Sequence, residues 1–191
     1  MRAKRLAWAS VLMSGLAFFA GPVLADSYAN TVALFKQAGP SAHFFRLSYG
    51  YAVFPTIAKG GFVVGGARGK GRVYRRGSHI GYTTVTQLSV GIQAGGQAYS
   101  EIIFFETPQD LRRFESGKFA LGAQASAIAI TAGASASAST AGSGASASGT
   151  EENATTLGRY QDGIAVFTIA KGGLMYEATV AGQKFSFEAR K

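Results

Sequence analysis

The sequence contains no cysteine and only two histidines, His43 and His79. The absence of cysteine excludes a disulfide framework, a thiolate nucleophile and a cysteine-based zinc site, and two histidines do not suggest a histidine-rich metal site. Proline is also scarce, at 4 residues, whereas glycine reaches 26 of 191, which is roughly twice its usual share of about 7%. This composition favours β-strands and turns over long helices.

Motifs of the common enzyme classes are also missing. The sequence has no G-x-S-x-G, no G-x-x-x-x-G-K-[ST] and no H-E-x-x-H, and Gly69-Lys70-Gly71 lacks the third glycine of a dinucleotide-binding loop. The carboxylates are few and scattered, and neither histidine has an acidic neighbour in sequence. We therefore predict a protein that is not an enzyme, without catalytic residues, metal ions or cofactors.

The first 25 residues form a segment of their own. Cations at positions 2, 4 and 5 precede the uncharged apolar run 6–20, and Val23-Leu24-Ala25 provides the small residues that a signal peptidase reads. This pattern predicts a signal peptide cleaved after Ala25, followed by a single domain over 26–191. The alternative is an uncleaved anchor, because the apolar stretch nearly reaches the ~20 residues that span a bilayer. Export would place the protein in the periplasm, at the outer membrane or outside the cell.

Basic residues outnumber acidic ones by 19 to 10. Removal of the leader lowers the formal net charge from +9 to about +6. An exported cationic protein meets anionic lipid head groups or envelope polymers before it meets nucleic acid. The charge therefore favours an anionic partner other than nucleic acid, either a phospholipid or membrane surface or an envelope polymer, and does not choose between them.

The patterning predicts an α+β fold with a mainly antiparallel, partly closed β-sheet. Predicted helices cover 27–38 and 41–47, the second with Ser41 as its cap, and a segment from Pro108 to Gly117 that Thr107 and Asp110 cap. Predicted strands cover parts of 51–66, 70–74, 85–106, 119–140, 164–167, 174–180 and 184–188, with a hairpin across 181–183. Low-complexity sequence over 141–158 predicts a mobile loop.

A short stretch occurs twice. Residues 52–61 read AVFPTIAKGG and residues 165–173 read AVFTIAKGG, which is the same sequence without Pro55. Two copies are too few for a solenoid. They predict two equivalent turns on one sheet edge, each presenting a lysine, Lys59 or Lys171, beside a glycine pair.

An ordered series of glycine-rich and apolar segments carries the most specific signal. The series comprises Gly50-Tyr51-Ala52-Val53-Phe54-Pro55, Lys59-Gly60-Gly61-Phe62-Val63-Val64-Gly65-Gly66, Gly69-Lys70-Gly71-Arg72-Val73-Tyr74, Ser89-Val90-Gly91-Ile92-Gln93-Ala94-Gly95-Gly96-Gln97, Ile102-Ile103-Phe104-Phe105 and Ala170-Lys171-Gly172-Gly173-Leu174-Met175-Tyr176-Glu177. With it, the chain from about residue 27 onward resembles the SYLF domain family of yeast actin-patch regulators, animal phosphoinositide-binding proteins and many exported bacterial proteins. It is most similar to the bacterial branch.

The resemblance implies non-enzymatic binding of acidic phospholipids. Actin binding in the eukaryotic members involves extra segments that this chain lacks, and an exported bacterial protein meets no actin, so actin is not an expected partner. Animal relatives use an N-terminal amphipathic helix at the membrane. The corresponding helix here is short, with Lys36 as its single cation.

The predicted lipid-binding residues are cations near glycine. Five of them, Arg68, Lys70, Arg72, Arg75 and Arg76, lie within nine positions, and Gly69 and Gly71 would leave backbone amides open to phosphate oxygens. The alternative is a solvated edge strand whose charges prevent aggregation. Lys59 and Lys171 are further candidates, or ordinary solvent-facing lysines. The aromatic set Phe44, Phe45, Tyr49, Tyr51 and Phe54 fits a core better than a lipid-inserting wedge.

A second function class stays open. The alternating small residues within 123–140 would bury little area and specify their register weakly. This strand could support a structural, self-associating envelope or matrix protein. The lipid, the membrane leaflet, the process and the oligomeric state are not predicted.

Overall fold

The computed structural model describes residues 26–61, 64–90, 97–122, 125, 127–130, 159–171 and 180–191. Its helices are α1 (Ser27–Gln37), α2 (Gly39–Ala42), α3 (Phe44–Leu47) and α4 (Pro108–Glu115). Its strands are β1 (Gly50–Gly61), β2 (Val64–Arg75), β3 (Ser78–Val90), β4 (Gln97–Phe105), β5 (Ile128–Ile130), β6 (Ile164–Lys171) and β7 (Lys184–Ala189). The predicted leader, the 141–158 loop, most of the 119–140 strand and most of the 174–180 strand lie outside the described residues.

The strands form one seven-stranded sheet in the order β5-β6-β4-β1-β2-β3-β7. Every pairing is antiparallel except that of β5 with β6, which is parallel. The predicted α+β class is confirmed. A sheet closes only when its edge strands pair, and β5 and β7 stand at opposite ends of this order. Among the described strands the sheet is therefore open, which differs from the expected partial closure.

Each face of the sheet carries its own hydrophobic cluster. On one face, Val53 and Ile102 pack with Phe35 of α1 and Phe44 of α3; we call it the α1 face. On the other, the cluster includes Phe114 of α4; we call it the α4 face. Successive residues of a strand point to opposite faces, so these two clusters tell where each strand residue points.

Local signals fix the helix ends. Asp26 caps α1, since its Oδ1 accepts a 3.0 Å hydrogen bond from the Tyr28 amide. Thr107 and Asp110 form the predicted capping box of α4, and Gly117 ends that helix with a φ of +69°. The predicted cap at Ser41 is wrong. Ser41 lies inside α2, where its hydroxyl donates to the Phe35 carbonyl at 2.6 Å.

The repeated stretch forms the central strand β1 and the strand β6, so the prediction of two turns on one edge is wrong. Pro55 is the extra residue of a bulge, because Val53 pairs with Arg72 whereas Thr56 pairs with Lys70. Because the bulge absorbs this extra residue, side chains alternate between the two faces of the sheet in the same order in both copies. Their registers on β4 differ by one residue, since both Val53 and Phe167 lie opposite Ile102. An offset of one residue turns each side chain to the opposite face of the sheet. Equivalent residues of the two copies therefore point to opposite faces.

The aromatic set belongs to the core. Phe44, Phe45 and Tyr51 pack in the cluster of the α1 face, and Phe54 and Tyr49 pack in that of the α4 face. The stacked rings of Tyr51 and Tyr74, 4.9 Å apart, continue the packing across β1 and β2. None of the helices in the described part of the chain has the length and apolarity needed to cross a membrane.

Candidate anion-binding face

Strand β2 alternates between cations and small residues. Arg68, Lys70 and Arg72 point to the α1 face, while Ala67 and Val73 are buried in the cluster of the α4 face. The strand lies between β1 and β3 and pairs with both. It is not an edge strand, so the interpretation of its charges as edge protection is wrong.

The glycines of β2 serve packing instead of anion binding. A Cβ at Gly71 would lie 2.6 Å from the Phe54 ring, and one at Gly69 would lie 2.7 Å from Ile57 Cγ1. Both positions must therefore stay small where β2 crosses the core of the α4 face. Because β2 pairs on both sides, the ladders engage its backbone amides. The predicted role of these amides as open phosphate ligands is wrong.

Part of the α1 face remains exposed and carries positive charge. One row across the sheet runs from Arg68 through Ala58 and Ala98 to Lys171. Lys171 reaches over this row, and its Nζ donates to Thr56 Oγ1 at 2.9 Å. The two alanines have small side chains, so the surface between Arg68 and Lys171 is not covered by a large side chain of this row. We call Arg68, Lys70 and Lys171, with Thr56 between them, the cationic face.

These three cations have no carboxylate partner in the described part of the chain. The ion pairs found there join Arg72 to Asp26 and Arg113 to Asp110. Side chains of Arg68, Lys70 and Lys171 are exposed. Leu88 of β3 lies opposite Gly66, two residues beyond Arg68 on the same face, and is 85% exposed. The surface thus combines uncompensated charge with an exposed apolar side chain.

Arg72 is held by partners of its own. Its Nη1 donates to Asp26 Oδ2, and its guanidinium carbon lies 4.1 Å from the centre of the Tyr28 ring. The hydrogen bond from Arg72 is the main cause that lowers the pKa of Asp26. Arg72 therefore fixes the start of α1 on the sheet, which departs from its predicted role as a free lipid ligand.

The structure does not bring the remaining predicted residues to this face. Arg75 and Arg76 lie at the β2–β3 turn, about 23 Å along the strand from Arg68. Arg76 has a φ of +48° and covers the ring of Tyr49 at 5.2 Å. Lys59 lies opposite Ala67 and points to the α4 face. Of the seven predicted cations, the fold groups Arg68, Lys70 and Lys171. It places Arg75, Arg76 and Lys59 elsewhere.

The cationic face contains a pocket that the sequence did not predict. It measures about 430 Å³ and opens between the first turn of α1 and strands β1 and β2. Its lining comprises Ser27, Tyr28, Pro55, Thr56, Arg68, Gly69 and Lys70. The sequence signal that could have indicated it was Pro55, the one residue by which the two copies of the repeat differ.

The α4 face holds a buried polar group that was also missed. Glu101 is fully buried, and Gln183 Nε2 donates to its Oε2 at 2.9 Å and to the Tyr99 hydroxyl at 3.0 Å. Burial raises the pKa of Glu101 to about 8. Its sequence signal was one carboxylate ahead of the apolar run 102–105. Glu101 is the one acidic side chain buried among the described residues, so this site lacks the second carboxylate of an acid–base pair.

Metal binding finds no support in the described ranges, which contain no group of three metal-ligating side chains. His79 bonds the Gly81 carbonyl at 3.1 Å through its Nε2 and packs edge-on against Tyr82. His43 packs against Phe44 with ring centres 4.2 Å apart. Both histidines therefore have structural contacts within the fold.

A family model described as "Ysc84: Las17-binding protein actin regulator" matches residues 86–190, more than half of the chain. The matched region contains the end of β3 and all of β4, α4, β5, β6 and β7, including Lys171, whereas β1, β2 and most of β3 precede it. The comparison with curated proteins found no match. The family is one of binding domains associated with lipids and actin regulators.

Proposed function

The chain belongs to the SYLF family, and from this premise we propose that it binds anionic phospholipids through the cationic face. The observation that carries the proposal is the grouping of Arg68, Lys70 and Lys171 on an exposed part of the sheet without carboxylate partners among the described residues. A membrane is an extended array of negative charges, and the sheet directs these exposed cations outward from one of its faces.

The magnitude supports weak, reversible attachment. Each cation near an anionic membrane contributes up to about 1 kcal/mol, so three cations contribute about 3 kcal/mol. That free energy corresponds to a partition coefficient roughly 100-fold higher than on a neutral membrane. Leu88 adds apolar area where the face meets the bilayer. Salt weakens such attachment because it screens exposed charges.

We propose that the protein acts by binding alone, without catalysis, metal ions or cofactors. It belongs to a family of binding domains, and the buried Glu101 has no access to a substrate. We also propose that residues 1–25 are a signal peptide and that the protein works in the cell envelope or outside the cell, as a member of the bacterial exported branch. The leader pattern supports this, and mass spectrometry of the N-terminus in cells tests it: a start at Asp26 is expected, and an intact residue 1 would contradict it.

Flotation with vesicles tests the lipid proposal. Wild-type protein should float with phosphatidylglycerol-containing vesicles at low salt, less at high salt, and not with pure phosphatidylcholine vesicles. The double variant Arg68→Glu with Lys70→Glu should remain at the bottom of the gradient. The matched control, Arg75→Glu with Arg76→Glu, makes the same change of charge at the far turn and should float.

Loss of flotation in both double variants would point to net charge instead of the cationic face. Equal recovery on anionic and neutral vesicles would contradict the proposal altogether. Circular dichroism of each variant confirms that the fold is intact, and both pairs replace exposed side chains.

A further inference from the structure

The pocket at the Pro55 bulge has the lining of a site for a small anion. Arg68 and Lys70 supply positive charge, Ser27 and Thr56 supply hydroxyl groups, and Tyr28 with Pro55 forms an apolar wall. Its volume of about 430 Å³ lies within the range of about 300–1,000 Å³ that is typical of small-molecule sites.

The bulge creates this arrangement. In an unbroken strand, Thr56 would point to the same face as Phe54, which is the α4 face. The extra residue Pro55 turns Thr56 to the α1 face, opposite Lys70. Pro55 has no N–H group, and its carbonyl accepts a 2.8 Å bond from the Ser100 hydroxyl, which holds the bulge on β4.

Lys171 prepares Thr56 to donate a hydrogen bond. Its ammonium group donates to Thr56 Oγ1 at 2.9 Å, so the oxygen acts as an acceptor and the Thr56 hydroxyl proton stays available for a ligand. The same contact brings the charge of Lys171 to the rim of the pocket. Two cations thus line the pocket together with a directed hydroxyl, and the third cation contacts that hydroxyl.

We propose that this pocket binds a phosphate monoester. The inference rests on the proposed function, because it assigns one place on the cationic face to the head group. A monoester carries a charge of about −1.5 to −2 at pH 7 and three acceptor oxygens, which matches Arg68 and Lys70 in the lining, the charge of Lys171 beside Thr56 and the Thr56 hydroxyl. A diester carries one charge and fewer free oxygens. The apolar wall of Tyr28 and Pro55 contacts the carbon skeleton attached to the phosphate.

The monoester can come from a lipid head group or from a soluble metabolite, and two probes separate these sources. The first is glycerol 3-phosphate, titrated into the full chain and followed by amide NMR shifts, with dimethyl phosphate as the diester control. The second is flotation with phosphatidic acid vesicles, compared with phosphatidylglycerol vesicles of equal measured surface charge.

We expect glycerol 3-phosphate to shift the amides of Tyr28, Thr56 and Lys70 and to bind at least tenfold more tightly than dimethyl phosphate. Lys70→Gln should weaken binding by roughly tenfold, the loss of one charge-assisted hydrogen bond. Lys118→Gln removes an equal charge next to α4, far from the pocket, and should bind as the wild type does. Stronger flotation on phosphatidic acid than on phosphatidylglycerol would support the lipid source.

Selective binding of glycerol 3-phosphate without preference between the two vesicle types would support the pocket with a soluble ligand. Equal shifts by both phosphates, or shifts spread over the chain, would overturn the proposal of the pocket. In that case, salt-sensitive flotation on phosphatidylglycerol would leave the broader function standing, and its absence would remove both.

Discussion

Replacement of Glu101 by glutamine should stabilise the protein near neutral pH. The Glu101 side chain is fully buried, and its Oε1 has no hydrogen-bond partner among the described residues. Burial raises its pKa from the ordinary value of 4.5 to about 8. The folded protein therefore keeps the carboxyl protonated at pH 7, whereas the unfolded chain releases the proton.

The sign of the effect follows from linkage. The folded state holds an extra proton between pH 4.5 and about 8, so the free energy of unfolding falls as pH rises through this range. Each pH unit costs up to about 1.4 kcal/mol. At pH 7 the loss amounts to about 3 kcal/mol, and at pH 5 it is below about 1 kcal/mol. Glutamine copies the shape of the neutral acid but has no proton to lose.

Urea denaturation from pH 5 to pH 8 measures this difference. Glu101→Gln should match the wild type within about 1 kcal/mol at pH 5 and exceed it by about 3 kcal/mol at pH 7. Glu188→Gln alters an exposed carboxyl and should follow the wild-type curve. Parallel curves for Glu101→Gln and the wild type would mean that Glu101 is ionised in the folded protein, which would refute the reasoning.

Two further predictions concern stability. Thr107→Ala removes the side-chain cap of α4 and should cost about 1 kcal/mol in urea denaturation, whereas Gln109→Ala in the same helix should cost little; equal effects would rule out the cap as the cause. Gly71→Ala brings a methyl group to 2.6 Å from the Phe54 ring and should destabilise by about 1–3 kcal/mol. Gly66→Ala on the same strand meets its nearest atom at 3.5 Å and should be nearly neutral, so a comparable loss there would contradict the packing argument.

Features that depend on neighbouring residues were predictable from the sequence. The ends of α4 follow from Thr107, Pro108 and Gly117, which lie within one short segment. The β-character of β1 follows from its β-branched and aromatic residues. Such signals act over a few residues and need no knowledge of the remaining chain.

Features that depend on strand pairing were not predictable. The sequence shows Lys59 and Lys171 in equivalent positions, but an offset of one residue between β1 and β6 puts them on opposite faces. The central place of β2 depends on pairing with β1 and β3. Arg72 and Asp26 are 46 positions apart in sequence, and only the docking of α1 on the sheet joins them.

The cationic face is therefore a smaller site than the sequence predicted. The pairing of β2 with β1 places Arg68 and Lys70 on one face, and the fold adds Lys171 from another strand. Arg75 and Arg76 lie far from the cationic face because they stand at the opposite end of the long strand β2, at the β2–β3 turn. The cluster of basic residues at 68–76 is therefore divided in the fold, by distance along β2 and by the partners that hold Arg72.

The central claim, that this face meets the membrane, is tested most directly by a single fluorescent reporter. The one tryptophan is Trp8, which lies in the proposed leader, so the protein that starts at Asp26 gives a background without tryptophan. Two exposed leucines then serve as reporter positions: Leu88, 85% exposed beside the cationic face, and Leu47, 65% exposed on α3. With phosphatidylglycerol vesicles, Leu88→Trp emission should shift to the blue while Leu47→Trp emission stays unchanged. A blue shift from Leu47→Trp alone would contradict the account.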